Sequence, residues 1–397
     1  MKSLFLTQDF PPDSGGIARL YGELCARFPE GGVEVAAPRT TNGADAGAAE
    51  AYIRRMPFTF REARRITTVA WWTRWTRARL ARGDVALLQV GNIRPAGYVA
   101  AWLRPRTGIP YVIYVHGKDV WKEEQKAARS ARARWTARRI LGRASAIIAN
   151  SRATAERTER LLKSLGIDPA GRVRVVHPAT DPGRFRPGAP GADAWRGRLG
   201  LEGRTVVLSV SRLMARKGID TALHAIARLV PRHPDLVYVV GGDGPERERL
   251  ERLADELGIA PHVRFLGPVD DAELPGLYAA ADIFVLPVRE EPDDAEVEGF
   301  GIVFCEAAAT ALPVIAGDSG GVADAVRGGE SAFLVPPADP DAVAERLGQL
   351  LADPALRRRM GEAGRRAVEE YYHWDRAAAE VWRILEEVSG ASREGAR

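Results

Sequence analysis

The feature that most constrains this chain is an alternation, met twice over, of short apolar runs of strand length with stretches of helical spacing. Runs that are short and apolar throughout read as strands buried on both faces, which requires helices on either side of a parallel sheet. In the first series they fall at residues 3–7, 33–37, 85–90, 111–115, 146–149 and 173–176, and in the second at 206–210, 237–241, 263–266, 283–287, 313–316 and 332–335. Between the series, residues 177–193 (HPATDPGRFRPGAPGAD) are too rich in Pro and Gly to continue a helix or a central strand, and read as a linker. The 397 residues suit two domains of ordinary size. The expected class is therefore α/β, with two doubly wound, Rossmann-like parallel-sheet domains over residues 1–185 and 186–374 facing across a cleft. A last helix over 375–388 can pack back on the first domain, and residues 389–397 are expected to fray.

Charge divides the chain unevenly. Residues 1–190 carry 33 Lys and Arg against 16 Asp and Glu, net +17, whereas residues 191–397 carry 24 against 36, net −12. So basic a half implies an anionic surface or polymer, meaning membrane headgroups or nucleic acid. Nucleic acid has charge alone in its favour, since no zinc spacing, recognition helix or strand-borne stacking aromatics accompany it. With 46% hydrophobic and 27% charged residues, disorder is excluded. Cys25 and Cys305 lie far apart with no C-x-x-C spacing, against a disulfide framework or thiolate zinc site and in favour of a reducing compartment. The opening MKSLFLTQDFPP is too short an apolar stretch for a signal peptide, and no run of about 18 apolar residues follows, so a cytoplasmic chain is expected.

Three motifs carry chemistry. Glu298-Gly-Phe-Gly301-Ile302-Val-Phe-Cys-Glu306 sets two carboxylates on either side of a turn that enters a helix, whose first N–H groups and positive dipole end suit phosphate, while the carboxylates suit sugar hydroxyls. The other reading is a surface glutamate plus a buried one bonded to backbone. Arg212 and Lys217, five residues apart after the strand at 206–210, can converge on one diphosphate and neutralise a leaving group. Arg216 and Lys217 taken alone read as a solvated loop pair. Gly241 to Glu246 is a third strand, glycine turn and helix, a common pattern that specifies little by itself. The acidic run 290–296 lacks glycine-spaced ligands and reads as a solvated loop.

These motifs, together with Gly15-Gly16, His116-Gly117, Phe265-Leu-Gly267 and Pro313 to Gly321, closely resemble family 4 retaining glycosyltransferases of the GT-B fold, over essentially the whole chain. The opening Asp9-Phe-Pro-Pro, His116-Gly117 and Val297 to Val303 look most like the GDP-mannose-dependent mannosyltransferases that build phosphatidylinositol mannosides. The chain departs from those at Lys118-Asp119, where they tend to have His and Glu, and in the form of the linker at His177 to Asp181. The resemblance implies that Arg212, Lys217 and the backbone of Phe300, Gly301 and Ile302 bind the donor diphosphate, and that Glu306 holds the ribose hydroxyls. It implies further that Glu298 contacts the transferred hexose, that Gly15 and Gly16 allow close approach to phosphate, and that His116 sits beside the anomeric carbon. A lone histidine after a strand also reads as a satisfied core or loop residue. The implied activity is metal-independent and retaining, moving a hexose, mannose favoured, from a nucleotide sugar (GDP-mannose favoured) to a lipid-linked or glycan acceptor, with no further cofactor. A soluble acceptor or a sugar-nucleotide epimerase stays open beside it.

Residues 61–82 (REARRITTVAWWTRWTRARLAR) read as a helix with Ile66, Val69, Ala70, Thr73 and Leu80 on one arc. Trp71, Trp72 and Trp75 then share the outward side with Arg61, Arg64, Arg79 and Arg82. Trp and Arg mixed on an outward face suit an anionic lipid headgroup layer at the inner face of the cytoplasmic membrane, or else guanidinium stacking at a protein contact. The basic stretch 129–143 extends that cationic character.

Overall fold

The computed structural model describes residues 1–12, 15–39, 52–291 and 297–394, apart from the side chains of Arg64 and residues 391–394. Two compact units form, one from Met1–Pro178 with Trp374–Arg397, the other from Ala179–His373.

The first unit is a seven-stranded parallel sheet of β1 (Ser3–Leu6), β2 (Val33–Pro38), β3 (Ile53–Met56), β4 (Leu87–Val90), β5 (Tyr111–Val115), β6 (Ala146–Ala149) and β7 (Val173–Val175). Their order is β3-β2-β1-β4-β5-β6-β7, so the direction of winding reverses between β1 and β4. Register runs Ser3 opposite Val33 on one side of β1 and Ser3 opposite Leu87 on the other. Helices α1 (Gly16–Ala26), α2 (Ile66–Leu80), α3 (Ala96–Thr107), α4 (Lys118–Arg129), α5 (Ala131–Arg143) and α6 (Arg152–Ser164) accompany it. The inner strands are buried at every position because both faces are covered. Strand β3, Ile-Arg-Arg-Met, escapes a search for apolar runs. Two arginines are tolerable there because it lies at the sheet edge, only partly buried.

The second unit has six parallel strands, β8 (Thr205–Val210), β9 (Leu236–Gly241), β10 (Val263–Gly267), β11 (Ile283–Leu286), β12 (Val314–Gly317) and β13 (Ala332–Val335), ordered β10-β9-β8-β11-β12-β13. Its helices are α7 (Ala192–Leu199), α8 (Ile219–Leu229), α9 (Arg247–Glu256), α10 (Leu274–Ala279), α11 (Ile302–Ala309), α12 (Pro340–Ala352) and α13 (Pro354–Glu370). Here the winding reverses between β8 and β11. A final helix, α14 (Trp374–Glu394), belongs to the first unit, where Arg27 pairs with Asp375 at 2.8 Å and Phe28 meets Trp382 at 5.3 Å between ring centres. It stays helical to Glu394, past the point where fraying was expected.

The unit boundary falls at Pro178, seven residues before the expected 185. The cause is Phe185: fully buried, it packs edge-to-face on Tyr278 at 5.5 Å and draws much of the expected linker into the second core. Arg365 fixes the same segment, donating to the carbonyls of Pro182 and Phe185, each at 2.8 Å.

Candidate functional site

In an open parallel sheet the loops beyond the carboxyl ends of the strands diverge at the point where the winding reverses, and leave a crevice there. In the second unit those loops follow β8 and β11. They carry Arg212, Arg216 and Lys217 on one side and Glu298 on the other. Glu298 Oε2 accepts from Lys217 Nζ at 2.5 Å and from Arg216 Nη1 at 2.7 Å. Burial alone would raise its carboxyl, yet Lys217 and Arg216 hold it down at about 2. Lys217, for which the sequence left a solvated-loop reading beside diphosphate binding, is buried, and Arg216 is largely covered. The loops also touch through backbone: Arg289 N–H donates to Arg216 C=O at 2.8 Å, and a Cβ at Gly218 (φ 70°) would stand 2.0 Å from the Pro287 carbonyl oxygen. Arg212 is exposed, its guanidinium 4.0 Å from Met214 Sδ. One oxygen of one carboxylate therefore occupies two of the three cations.

Glu298 leads into α11. Gly301 (φ 92°) precedes that helix without any side-chain cap, and Ile302 opens it; Phe304 N–H turns back to the Gly301 carbonyl at 3.1 Å, which leaves the N–H groups of Ile302 and Val303 at the open end. Phe300 is buried and packs on Tyr372, anchoring the turn. The carbonyl of Glu298 accepts from Gly321 N–H at 2.8 Å, which ties the Gly320-Gly321 turn to the same loop. Ser211 Oγ and Ser319 Oγ, nearby in the chain, are buried without a hydrogen-bond partner among the described residues. Glu306, inside α11, is buried, and its Oε2 accepts from Tyr278 Oη at 2.9 Å. Tyr278 had no signal in the sequence; its role appears only when α10 packs beside α11. Residues 292–296 of the acidic run lie outside the described residues. Among the described residues no group of three His, Cys, Asp or Glu side chains stands together where a metal ion could be held.

The first unit's reversal point, between β1 and β4, holds a different set. Tyr21 Oη donates to the Gly91 carbonyl and stands 2.6 Å from His116 Nε2. Burial lowers His116 to about 4, against the pull of Asp9. Asp119, in the first turn of α4, accepts the His116 backbone N–H at 2.9 Å, and burial raises it to about 6. Asn92 Nδ2 donates to Asp9 Oδ2 at 3.0 Å across the reversal point. The second oxygen of Asp119 and the amide oxygens of Asn92 and Asn150 are buried without partners among the described residues, so three acceptors on the loops after β4, β5 and β6 await hydrogen-bond donors. Gly15 and Gly16 lie exposed at the start of α1.

Helix α2 is turned only in part as expected: Leu80 is buried, Val69 packs on the core and Arg82 is exposed, but several residues change sides. Trp72 is fully buried against Phe58 (5.3 Å between ring centres), and Arg79 is 6% exposed rather than outward. Trp75 is half-buried against the core, and of the three tryptophans Trp71 alone stays outward, at 39%. Arg79 can turn inward because Glu34 and Asp84 meet its guanidinium at 2.7 Å and 2.6 Å. Ile66, assigned to the inner arc, is 81% exposed. The Arg64 side chain lies outside the described residues.

Comparison with known proteins agrees with this geometry. The description Glycosyltransferase Family 4 matches residues 14–184, and Glycosyl transferases group 1 matches residues 192–367. The GDP-mannose-dependent alpha-(1-6)-phosphatidylinositol monomannoside mannosyltransferase of Mycolicibacterium smegmatis is 33% identical over 390 residues, 96% of this chain and 97% of that protein. The D-inositol 3-phosphate glycosyltransferase of Corynebacterium jeikeium is 35% identical over 315 residues, 76% of this chain and 72% of that one. The solved sucrose-phosphate synthase of Thermosynechococcus elongatus superposes with a TM-score of 0.78 at 26% identity, covering 98% of this chain and all of that one (100%). This chain belongs to the family 4 glycosyltransferases, enzymes of GT-B fold that use a nucleotide sugar.

Proposed function

We propose that this chain transfers mannose from GDP-mannose, with retention of configuration and without a metal or further cofactor, to a lipid-linked acceptor at the inner face of the cytoplasmic membrane. The observation that carries the donor reading is the Lys217–Glu298–Arg216 cluster beside the uncapped start of α11. It offers a diphosphate two cations, a third in Arg212, and helix N–H groups as negative charge grows on the leaving oxygen. Glu306 takes the ribose hydroxyls. The second unit thus holds the donor, and the first, with its unmet acceptors around His116, receives hydroxyl groups of the acceptor.

Retention by same-face attack, without a protein nucleophile, is supported by the state of Glu298. A carboxylate held at about 2 by two cations is a poor base and a poor nucleophile. Its role is to contact the hexose and balance the cations. The C1–O bond to phosphate breaks as the acceptor oxygen bonds C1 from the same face, and the acceptor's proton passes to a phosphate oxygen of departing GDP. Mannose, GDP and a lipid acceptor are favoured by the 33% identical relative over nearly all of both chains. The inositol-phosphate relative favours a soluble acceptor as the second reading. Among the described residues no helix is long and apolar enough to cross a membrane, so access to lipid is by surface docking.

The test is an incubation of the protein with GDP-mannose, UDP-glucose or ADP-glucose and vesicles containing phosphatidylinositol and its monomannoside, in EDTA. A mannolipid with an α-anomeric proton signal, formed from GDP-mannose alone, is expected. Transfer from another donor, a β product, no lipid product, or recovery only on adding a divalent metal each overturns the corresponding part.

A further inference from the structure

On the first unit, helices α2, α3 and α5 enclose a groove of about 820 Å3, within the usual size of small-molecule sites, roughly 300–1,000 Å3. It lies apart from the loops around His116. Its walls set apolar side chains, Ile66 and Val69 from α2, Trp102 from α3 and Ala133 from α5, among polar ones such as Thr73 and Tyr98. Ile66 and Trp102 are 81% and 41% exposed, far more than a chain normally leaves to water without a partner. The rim is cationic: Arg74, Arg77 and Arg132 are exposed, and none faces a carboxylate among the described residues. The three helices together contain ten arginines and no acidic residue.

That combination selects its occupant. Unopposed arginines ask for an anion, and a large apolar floor asks for hydrocarbon attached to it. Nucleic acid supplies the first without aliphatic surface for Ile66 and Val69. Two further features match a bilayer surface: Arg106 lies over the Trp102 ring at 3.8 Å and Arg139 over the Trp135 ring at 4.6 Å, amphipathic couples suited to the headgroup level. We propose that this groove takes up an acyl chain of an anionic phospholipid, while Arg74, Arg77 and Arg132 hold its phosphate. The inference rests on the membrane-face part of the function proposed above, and on neither its donor nor its stereochemistry.

The experiment is calorimetric titration of the whole protein with dihexanoyl-phosphatidylglycerol below its micelle concentration, so that no bilayer surface is present. One site per chain is expected. Ala70→Trp fills the groove from α2 at an exposed position that also lines it, and Ala133→Trp fills it from α5. Each should weaken the lipid at least about tenfold, and Arg77→Gln about threefold. GDP affinity and melting temperature, read on the same preparations, should not move. Absence of lipid binding by the wild type, undiminished binding by both groove-filled variants, equal affinity for glycerol phosphate, or tighter binding of a short oligonucleotide each overturns the proposal. A wild type that binds lipid but no GDP would leave the groove standing and remove the donor reading instead.

Discussion

The two sheets end in opposite electrostatic styles. At the reversal point of the second unit Lys217, Arg216 and Glu298 are locked in one ion cluster, while Arg212 and Glu306 stand outside it. At that of the first, burial disfavours the charged forms: His116 is pushed down, Asp119 is pushed up, and amide oxygens stand unmet among the described residues. A preformed cluster of fixed charge is suited to a ligand whose charge is multiple and changes during reaction, since it need not reorganise. Unmet acceptors in a desolvated pocket are suited to hydroxyls, and discriminate strongly against ligands that leave them unpaired. The same architecture thus separates a site for charge from a site for hydrogen bonding.

Breaking the charged side should have the largest effect. Lys217→Ala removes a buried cation from the leaving-group side, and turnover at saturating donor should fall by about 10²–10³. Arg212→Ala, lacking the exposed guanidinium, should cost no more than about tenfold, mostly in donor affinity. Steady-state kinetics on the two variants checks this; equal losses would mean that burial of the cation is irrelevant to its role.

The neutral side is exposed by pH. His116, at about 4 in the fold against an ordinary 6.5, contributes stability that is complete above about 6.5 and is lost as pH falls toward 4. Asp119, at about 6 against 3.8, runs the other way: its contribution is present below about 3.8 and is lost as pH rises to 6. Each is worth at most about 3 kcal/mol. Between roughly pH 4 and 6 the two slopes oppose one another, so the wild type should show little net dependence from this pair. Asp119→Asn should uncover the histidine slope, with stability falling from pH 6.5 to 4, and His116→Gln the reverse slope. Urea unfolding at four pH values reads both, and parallel curves for the three proteins would refute the assignment.

What could be read from the chain follows from the range of the forces involved. The central strands announce themselves because burial on both faces makes them apolar, a local property. Strand β3 does not, because at an edge Arg54 and Arg55 are compatible with pairing. The phase of α2 was misread in part, for a related reason: Arg79 counts as a surface residue until Glu34, forty-five positions earlier, is seen to lie beside it. Likewise Arg216 and Lys217, taken alone, look solvated until Glu298, more than eighty residues on, closes on them. The glycine turns and carboxylates of the donor loops are legible as motifs, whereas Tyr21, Tyr278, Asn92 and Asp119 support the sites through contacts that no spacing encodes.

Glu306 sharpens the comparison at intermediate cost, since its Oε2 accepts from a neutral partner, Tyr278. Glu306→Ala should weaken GDP by about 1–3 kcal/mol through unpaired ribose hydroxyls and an orphaned Tyr278 hydroxyl. Glu306→Gln, which keeps an acceptor for Tyr278, should recover part of it. Calorimetry with GDP and with deoxy-GDP analogues separates the contributions: if Glu306→Ala loses the same affinity for every analogue, ribose is not its ligand.

The smallest expected effect has the most informative sign. In the unliganded chain Glu298 Oε2 already satisfies Lys217 and Arg216, so an incoming diphosphate meets cations that are partly neutralised and a negative charge held close to them. At an effective dielectric near 20, a like charge a few ångströms away costs a bound phosphate on the order of 1 kcal/mol or more. Glu298→Gln keeps the shape and removes that charge, and GDP should therefore bind about tenfold more tightly to the variant than to the wild type. Turnover should nevertheless fall, because the hexose loses its carboxylate partner, so affinity and rate move in opposite directions. No corresponding split is expected in the first unit, where Asp119 is bonded to the His116 backbone N–H and not to the two cations. Product-inhibition constants for GDP, measured beside kcat, decide the matter: unchanged or weaker GDP binding in Glu298→Gln would show that the carboxylate and the diphosphate do not compete for the same two cations.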